Sequence, residues 1–369
     1  MTHTMRFTVQ TSDIVYALST VGRAVSSRPV HPIMEGILLK ASGNSVTLTA
    51  TDGNMTIRTG VPAMVDTDGA AVLPGRIVSE LARKLPGAET TFSVDGTRAS
   101  IRSGASRTTV SVMSTEDFPE PPTVAPKHAL TAPQSAMKEA IAKASFAVST
   151  DESRVVLTGL YLDASPDDVR VVALDGFRLA CSAVPGGECD DAFTCVIPGR
   201  AMTELGRLLT GTDAMCGLRF DSTLMEARIG DTSLYTTLLA GAFPDYRRII
   251  PNAFKTAVTV KRSAMADAIE RAGIMARNAH NGLIRLTVGG NSVSVASRDE
   301  IGQIEETVDA ETTGPEIDIA FNVRYLSDVL RALTDDTVTF NLNSATSPCV
   351  ILPGEGHGSL HMVLPVRTM

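Results

Sequence analysis

Two aspartates, two histidines and five cysteines are the residues of this 369-residue chain whose types and spacing could do chemistry. Asp52 and Asp175 stand in similar phrases, Thr47-Leu-Thr-Ala-Thr-Asp-Gly-Asn-Met-Thr-Ile57 and Arg170-Val-Val-Ala-Leu-Asp-Gly-Phe-Arg-Leu-Ala180. Two carboxylates brought together could serve general acid–base catalysis. Asp-Gly between alternating segments is also a tight-hairpin signal, with positive φ at both turn positions, and turn formation alone explains both residues. His357 and His361 are four apart but straddle a loop and a strand, so they do not share a helical face as metal ligands do. Gly354-Glu-Gly-His-Gly358 lacks the Lys-Ser/Thr of a phosphate loop and reads as a hairpin loop. Cys181, Cys189, Cys195, Cys216 and Cys349 contain no Cys-x-x-Cys pair, and their odd number reads as reduced thiols. No Gly-x-Ser-x-Gly elbow, Walker loop or His-Glu-x-x-His occurs. The residues point away from catalysis, from a metal and from a cofactor.

The elements around them point to repetition. Val72-Leu-Pro-Gly-Arg-Ile-Val-Ser-Glu-Leu-Ala-Arg-Lys-Leu85, Val196-Ile-Pro-Gly-Arg-Ala-Met-Thr-Glu-Leu-Gly-Arg-Leu-Leu209 and Ala320-Phe-Asn-Val-Arg-Tyr-Leu-Ser-Asp-Val-Leu-Arg-Ala-Leu333 place Arg76, Arg200 and Arg324 at a constant interval of 124 residues. That interval is the size of a domain, far longer than a solenoid repeat. Each third also opens with a strand and an amphipathic helix, with Ser12, Ser135 and Ser263 placed to cap the helix amides. The pattern of each third is β-α-β-β-β-β-α-β-β-β, a β-rich α+β fold in three tandem copies. Ile77, Val78, Leu81 and Leu85 in one helix, and Met202, Leu205, Leu208 and Leu209 in another, form stripes expected in the core. Asp299-Glu300 replaces Asp-Gly in the third copy and should turn differently. Proline-containing linkers at 118–126 and 243–251 set the domains at 1–125, 126–252 and 253–369.

Composition narrows the function classes. Aromatic residues are 4% and tryptophan is absent, so aliphatic residues and methionine must fill the cores. No run of about 18 apolar residues could span a membrane, and no signal-like stretch opens the chain, so the expected location is the cytoplasm. The net charge of −8 argues against nucleic acid at first sight. The predicted helices 11–28, 76–85, 133–149, 200–209, 261–277 and 324–333 nevertheless carry +1, +2, +1, +1, +2 and +1, a total of +8 that leaves −16 elsewhere. Charged solvent faces are common on helices. The alternative is a basic surface for a polyanion, without sequence-reading elements. The terminal His361-Met-Val-Leu-Pro-Val-Arg367 is either an ordinary edge strand or one wall of a groove.

Asp175-Gly-Phe-Arg-Leu179, Phe243-Pro-Asp-Tyr-Arg-Arg248, Leu364-Pro-Val-Arg367 and Arg28-Pro-Val-His-Pro-Ile33, in this order and with the triple repeat, resemble the bacterial DNA polymerase III beta subunit family, the sliding clamps. The resemblance covers the chain from Met5 onward, with Met1–Thr4 as an extension. It implies three clamp domains per protomer and a head-to-tail homodimer whose six domains ring duplex DNA, with basic helices inside and sheets outside. It implies a non-enzymatic processivity factor of DNA replication. Its expected partners are double-stranded DNA, the replicative polymerase, a clamp loader and repair proteins, the proteins docking through short linear motifs.

Carried over by position, the resemblance implies a partner cleft at Arg154, Leu157, Leu174, Gly176, Phe177, Arg178, Leu179, Pro244, Arg248, Ile249, Pro348, Met362, Leu364, Pro365, Val366 and Arg367, with Arg178 and Arg248 as polar edges. Leu174 and Phe177 replace polar residues common in the family, and Val155 and Val156 stand where tyrosines occur. Arg28, Arg83, Arg200 and His280 are the expected DNA contacts. Arg107, Thr108 and Val110 are expected to meet Ile274, Met275, Glu305 and Glu306 across the dimer seam. A repeat scaffold that binds no DNA, or an enzyme with an unrecognised site, are the competing readings.

Overall fold

The computed structural model describes residues 4–26, 31–278, 282–354 and 358–367, the side chains of 277 and 278 excepted. Six α-helices lie among the described residues: α1 (Thr11–Val21), α2 (Gly75–Ala82), α3 (Gln134–Ala144), α4 (Gly199–Leu208), α5 (Arg262–Asn278) and α6 (Val323–Ala332), the remainder of the regular structure being mostly antiparallel strand. Four strands separate the two helices of the third copy, as expected, but five separate those of the first and second. The cause is proline, which lacks the N–H a ladder needs. Pro62 ends Met55–Pro62 before Met64–Thr67, and Pro185 follows Arg178–Ala183 before Glu188–Cys189. With no such break, Gly302–Thr313 runs on as one 12-residue strand.

The chain packs as two compact units. The first, Met1–Thr131 with Arg207–Thr210 and Ala214–Leu238, contains a sheet ordered Met64–Thr67, Thr4–Gln10, Glu89–Asp95, Arg98–Ser103 and Ser106–Ser111. Thr4–Gln10 alternates as a half-buried strand should, turning Met5, Phe7 and Val9 inward. Phe7 faces Phe92 across the ladder and stacks on it at 4.9 Å between ring centroids. A larger sheet of this unit runs through Thr232–Thr237, Met55–Pro62, Ser45–Thr51, Gly36–Ser42 and Gly69–Pro74. Here the last strand of the central third pairs with the strand that follows the first Asp-Gly turn, fully buried Leu234 opposite fully buried Ile57.

The second unit, Ala132–Gly206 with Gly211–Asp213 and Leu239–Met369, repeats that arrangement. Ser359–Val363, the last strand of the chain, pairs with Arg178–Ala183, the strand after the second Asp-Gly turn, Met362 opposite Leu179. Sheets therefore run on from one third to the next. This is why part of the central third packs with the first, and why the two units follow a different partition from the three repeats.

Each repeat's first helix is anchored by a backbone carbonyl. Thr11 N donates to Ala88 O (2.8 Å), Ser135 N to Thr212 O (2.9 Å) and Arg262 N to Asp336 O (2.8 Å), from the same place after each repeat's second helix. The serine caps expected at Ser12 and Ser135 are not made, because the hydroxyls turn to Asp13 Oδ1 (3.1 Å) and Asp213 Oδ1 (2.8 Å). A side-chain cap does occur on α6, where Asn322 accepts from Arg324 N at 2.9 Å.

Other expectations need correction. The Asp-Gly turns hold only glycine at positive φ, Gly53 and Gly176 both at +94°. Asp52 Oδ1 accepts from the amides of Asn54 and Met55, and Asp175 Oδ1 from those of Phe177 and Arg178, so the aspartate organises a wider turn by itself. Helix α2 turns Gly75, Val78 and Ala82 inward at helical spacing, which leaves Ile77 56% exposed rather than in the core; Met202, Leu205, Leu208 and Leu209 are buried as expected. Helices α1, α2 and α3 are also shorter than predicted, while α4, α5 and α6 keep their expected lengths. Helix α1 ends before Arg23 and carries only Asp13, and α2 balances Arg76 against Glu80, so neither is net basic; Arg23, Arg83 and Lys84 lie in the turns that follow.

Because Ser12 caps nothing, Ser12→Ala should change unfolding free energy in urea by less than about 0.5 kcal/mol, the range of a neutral surface site. A loss of about 1 kcal/mol or more would restore the capping role.

Candidate functional site

The Asp175–Arg178 turn, the segment Phe243–Ile250 and the C-terminal residues meet on one apolar cluster of the second unit. Leu157, Leu174, Leu179 and Met362 are buried there with Val172, Tyr246 and Val350. Phe243 stacks on Tyr161 at 4.6 Å. Tyr246 donates from its hydroxyl to Asp163 Oδ2 (2.8 Å), and Arg247 pairs with the same oxygen at 2.7 Å while lying over the Tyr246 ring. This explains the Phe-Pro-Asp-Tyr-Arg-Arg phrase locally: its aromatics and first arginine clip the segment down. Pro244, Arg248 and Ile249 are left at the surface, Arg248 paired with Asp245 at 2.9 Å.

Above the cluster sits a partly apolar rim. Phe177 is 55% exposed, Val155 52% and Ile249 42%, while Val156, Pro348, Leu364, Pro365 and Val366 are half-buried and Arg154 and Arg367 exposed. Leu364 N donates to Phe177 O (2.9 Å) and Val366 N to Ala320 O (2.8 Å), which draws the end of the chain along the turn. Gly176 is required by its φ of +94°, and a Cβ there would lie 3.3 Å from the movable Arg154 guanidinium. Leu157, Leu174, Leu179 and Met362 form the floor, with Leu179 wholly enclosed, so the accessible surface belongs to the other predicted residues.

Arg178 is the exception to the expected cleft. Rather than forming a polar edge, it points inward and is 6% exposed. Its Nε donates to Asp175 Oδ2 (2.9 Å), Nη1 to Asp328 Oδ2 (2.5 Å) and Nη2 to Phe146 O (2.6 Å). The guanidinium lies over the Phe146 and Tyr325 rings, 5.2 and 4.7 Å from their centroids. Tyr325 also stacks on Phe177 at 5.9 Å. Sequence reasoning passed over Tyr325, Phe146 and Asp328. The available signal was that Tyr325 falls where the other copies have Ile77 and Ala201.

The expected DNA contacts are only partly described: Arg28 and His280 lie outside the described residues. Arg83 and Arg200 are exposed, on the turn after α2 and near the start of α4. Arg83 lines a cavity of about 500 Å3 between α1 and α2, together with Arg23, Arg76, Ser79 and Gly22. Of the seam candidates, Arg107, Thr108 and Val110 lie on Ser106–Ser111, an edge strand that also holds Arg107 opposite Arg102. Ile274 is 56% exposed and Met275 half-buried on α5. Glu305 and Glu306 lie on Gly302–Thr313, whose Gly302–Asp309 stretch pairs on one side with Ser292–Asp299 and has no ladder partner on the other among the described residues. Arg271 clasps Glu306 with two bonds of 2.7 Å, holding its carboxyl below the usual range.

Nothing in the described residues suggests a reaction. No metal-holding cluster occurs among them, no helix is long and apolar enough to cross a membrane, and the five cysteines are unbridged. Burial pushes the Cys195 thiol up to about 12, far from a reactive thiolate.

His361 is fully buried, bonded through Nε2 to Lys143 O (3.0 Å), and stacked on Phe146. Burial pulls its pKa down from 6.5 to about 4. An unfolded chain takes the proton below pH 6.5 and the native one resists until about 4, so stability is full above that window and falls as pH drops through it. The loss approaches about 3 kcal/mol. His361→Leu should flatten this part of the pH–stability curve in thermal unfolding; parallel curves would refute the assignment.

Family models match along the chain: DNA polymerase III beta subunit N-terminal domain over residues 5–122, central domain over 131–245 and C-terminal domain over 247–367. The beta sliding clamp of Synechocystis sp. is 32% identical, over 98% of this chain and 99% of that protein. That of Synechococcus elongatus is 33% identical over 98% and 99%. The crystal structure of the Bacillus subtilis DNA polymerase sliding clamp superposes with a TM-score of 0.93 at 29% identity, covering 100% of both chains. The Thermotoga maritima DNA polymerase III beta subunit gives 0.92 at 26% identity over 99% and 100%.

Proposed function

The chain belongs to the DNA polymerase III beta subunit family, and from that premise we propose that two copies close head to tail into a ring around duplex DNA. It is a DNA sliding clamp, a processivity factor for DNA polymerase III rather than a catalyst. In this reading domains 1–125, 126–252 and 253–369 each contribute one sixth of the ring in the cytoplasm. Partner proteins, the polymerase, a clamp loader and repair proteins among them, dock by short motifs on the rim formed by Arg154, Phe177, Pro244, Arg248, Ile249 and Leu364.

One observation carries the ring. At both seams inside the chain, the last strand of a third pairs with the strand after the turn of the preceding third. By the same rule Ser106–Ser111, the last strand of the first third, seeks the counterpart strand of a third copy, Gly302–Asp309. A second molecule can supply it. Unpaired edges of this kind are templates for strand addition. Charge favours the match: Arg107 stands on the first sheet's edge strand with Arg98 and Arg102 on the strand beside it, and Glu305, Glu306 and Asp309 stand on the other edge. Exposed Ile274 supplies an apolar contact beside it.

Sedimentation should give twice the 38.9 kDa of one chain. Arg107→Glu should weaken the dimer about 10- to 100-fold, the range of a close interfacial charge pair, and Glu305→Arg should recover part of the loss. A monomeric wild type would overturn the ring. Retention on circular DNA, with a loader and ATP supplied, tests encirclement; a scaffold that binds no DNA would show none.

The rim has its own test. Phe177→Ala with Ile249→Ala removes two exposed apolar contacts and should lower polymerase binding about 10- to 100-fold while the dimer persists. Unchanged binding would mean the partner site lies elsewhere.

A further inference from the structure

Two of the side chains by which helix α6 differs from its counterparts touch the same arginine. Tyr325 replaces Ile77 and Ala201, and Asp328 replaces Glu80 and Glu204. In α2 the acid stays on its own helix, Arg76 Nε lying 3.1 Å from Glu80 Oε1. In α6 the shorter acid is drawn off: Arg178 Nη1 lies 2.5 Å from Asp328 Oδ2, while Arg324 Nε is 3.9 Å from that same oxygen. Arg178 is itself unrepeated, since the corresponding residue after the first Asp-Gly turn is Met55. Three unrepeated side chains thus converge on a contact that α2 does not make.

That contact reaches the rim through a chain of hydrogen bonds. Asp175 accepts from the Phe177 and Arg178 amides and from Arg178 Nε. Phe177 leans its ring on Tyr325 and accepts from Leu364 N at its carbonyl. At the other end, Arg324 is 77% exposed and competes with Arg178 for one carboxylate oxygen. Two cations sharing one oxygen weaken each other's hold on it. A phosphate that engages Arg324 would leave Asp328 to Arg178.

We propose that Asp328 is a positioning residue that couples duplex DNA on the α6 side to the partner-binding rim: phosphate contact at Arg324 tightens Arg178–Asp328, and with it the Asp175–Arg178 turn and Leu364. The coupling is reciprocal, so a motif seated on the rim strengthens DNA contact by the same factor. The idea rests on the DNA and cleft reading given above, and it assigns the two sites a physical link.

Hydrogen–deuterium exchange of the full-length protein tests it, with a short blunt-ended DNA duplex in low salt as the probe. In the wild type, duplex should slow exchange at the Leu364 amide about two- to fivefold, the scale of a partly exposed ion pair. Arg324→Gln should produce similar slowing without DNA, because it removes the competitor from a largely exposed position. Asp328→Asn should abolish the response to duplex while fluorescence anisotropy shows that duplex still binds. Unchanged exchange in Arg324→Gln, or slowing that persists in Asp328→Asn, overturns the proposal. Strands of the first unit serve as the folding control. Failure of the duplex to bind wild type would instead sink the DNA reading, and the Arg324→Gln arm would still decide the link.

Discussion

A β-strand edge that carries backbone donors and acceptors must find a partner, and most of this molecule's organisation follows from that need. Leu234 opposite Ile57, and Met362 opposite Leu179, show the same solution at two seams. In each case the closing strand of one copy completes the sheet of the copy before it. Three copies in one chain satisfy two such junctions and leave a strand over at one end and an open edge at the other. A linear array of this kind is unfinished unless a second molecule continues it. Heterologous contacts either close into a ring or grow into filaments.

The repeat and the fold class were legible because they rest on local signals. The Arg76, Arg200 and Arg324 phrases mark equivalent helices, and the buried residues at Val78, Met202 and Leu326 sit at corresponding points of them. Residue Gly176 was legible as a turn glycine for the same reason, although the turn is wider than the tight hairpin that Asp-Gly suggested. What failed depended on distant partners. Ser12 and Ser135 looked like caps, but carbonyls of Ala88 and Thr212, contributed from beyond the second helix, already hold those helix starts. Ile77 belonged to a plausible stripe, but α2 is set down on the face that holds Gly75, Val78 and Ala82.

Arg178 is the most instructive of these cases. Its neighbours in sequence suggested a polar wall, and nothing local announces that it turns inward. Its orientation is decided by Phe146, Tyr325 and Asp328, each remote in the chain. A buried guanidinium costs several kcal/mol in desolvation, and ionic partners return that only when the geometry is good and the donors are satisfied. Here three donor nitrogens find acceptors and two aromatic rings lie against the guanidinium. An apolar replacement could match it for stability; what it could not supply is a directional contact between the rim and one carboxylate of α6. Such pairs are best understood as fixing one arrangement among several of similar energy.

The charge distribution points the same way. The net charge of −8, the acidic α1 and the balanced α2 leave a weaker basic surface than the sequence suggested, with Arg23, Arg76 and Arg83 around a cleft between those helices. A sequence-independent binder that held DNA by charge alone would need many more cations, since its affinity grows with each phosphate neutralised and falls steeply with salt. A closed ring has no such need. In the proposed ring, escape would be limited by opening the strand junctions, so the inner surface would only have to avoid repelling the duplex while it slides. Weak, scattered positive charge is then an advantage, because strong phosphate contacts would slow movement along the duplex. On the proposed reading the open strand edges and the sparse arginines are two sides of one arrangement: retention would come from the ring's closure, and mobility from holding the DNA loosely.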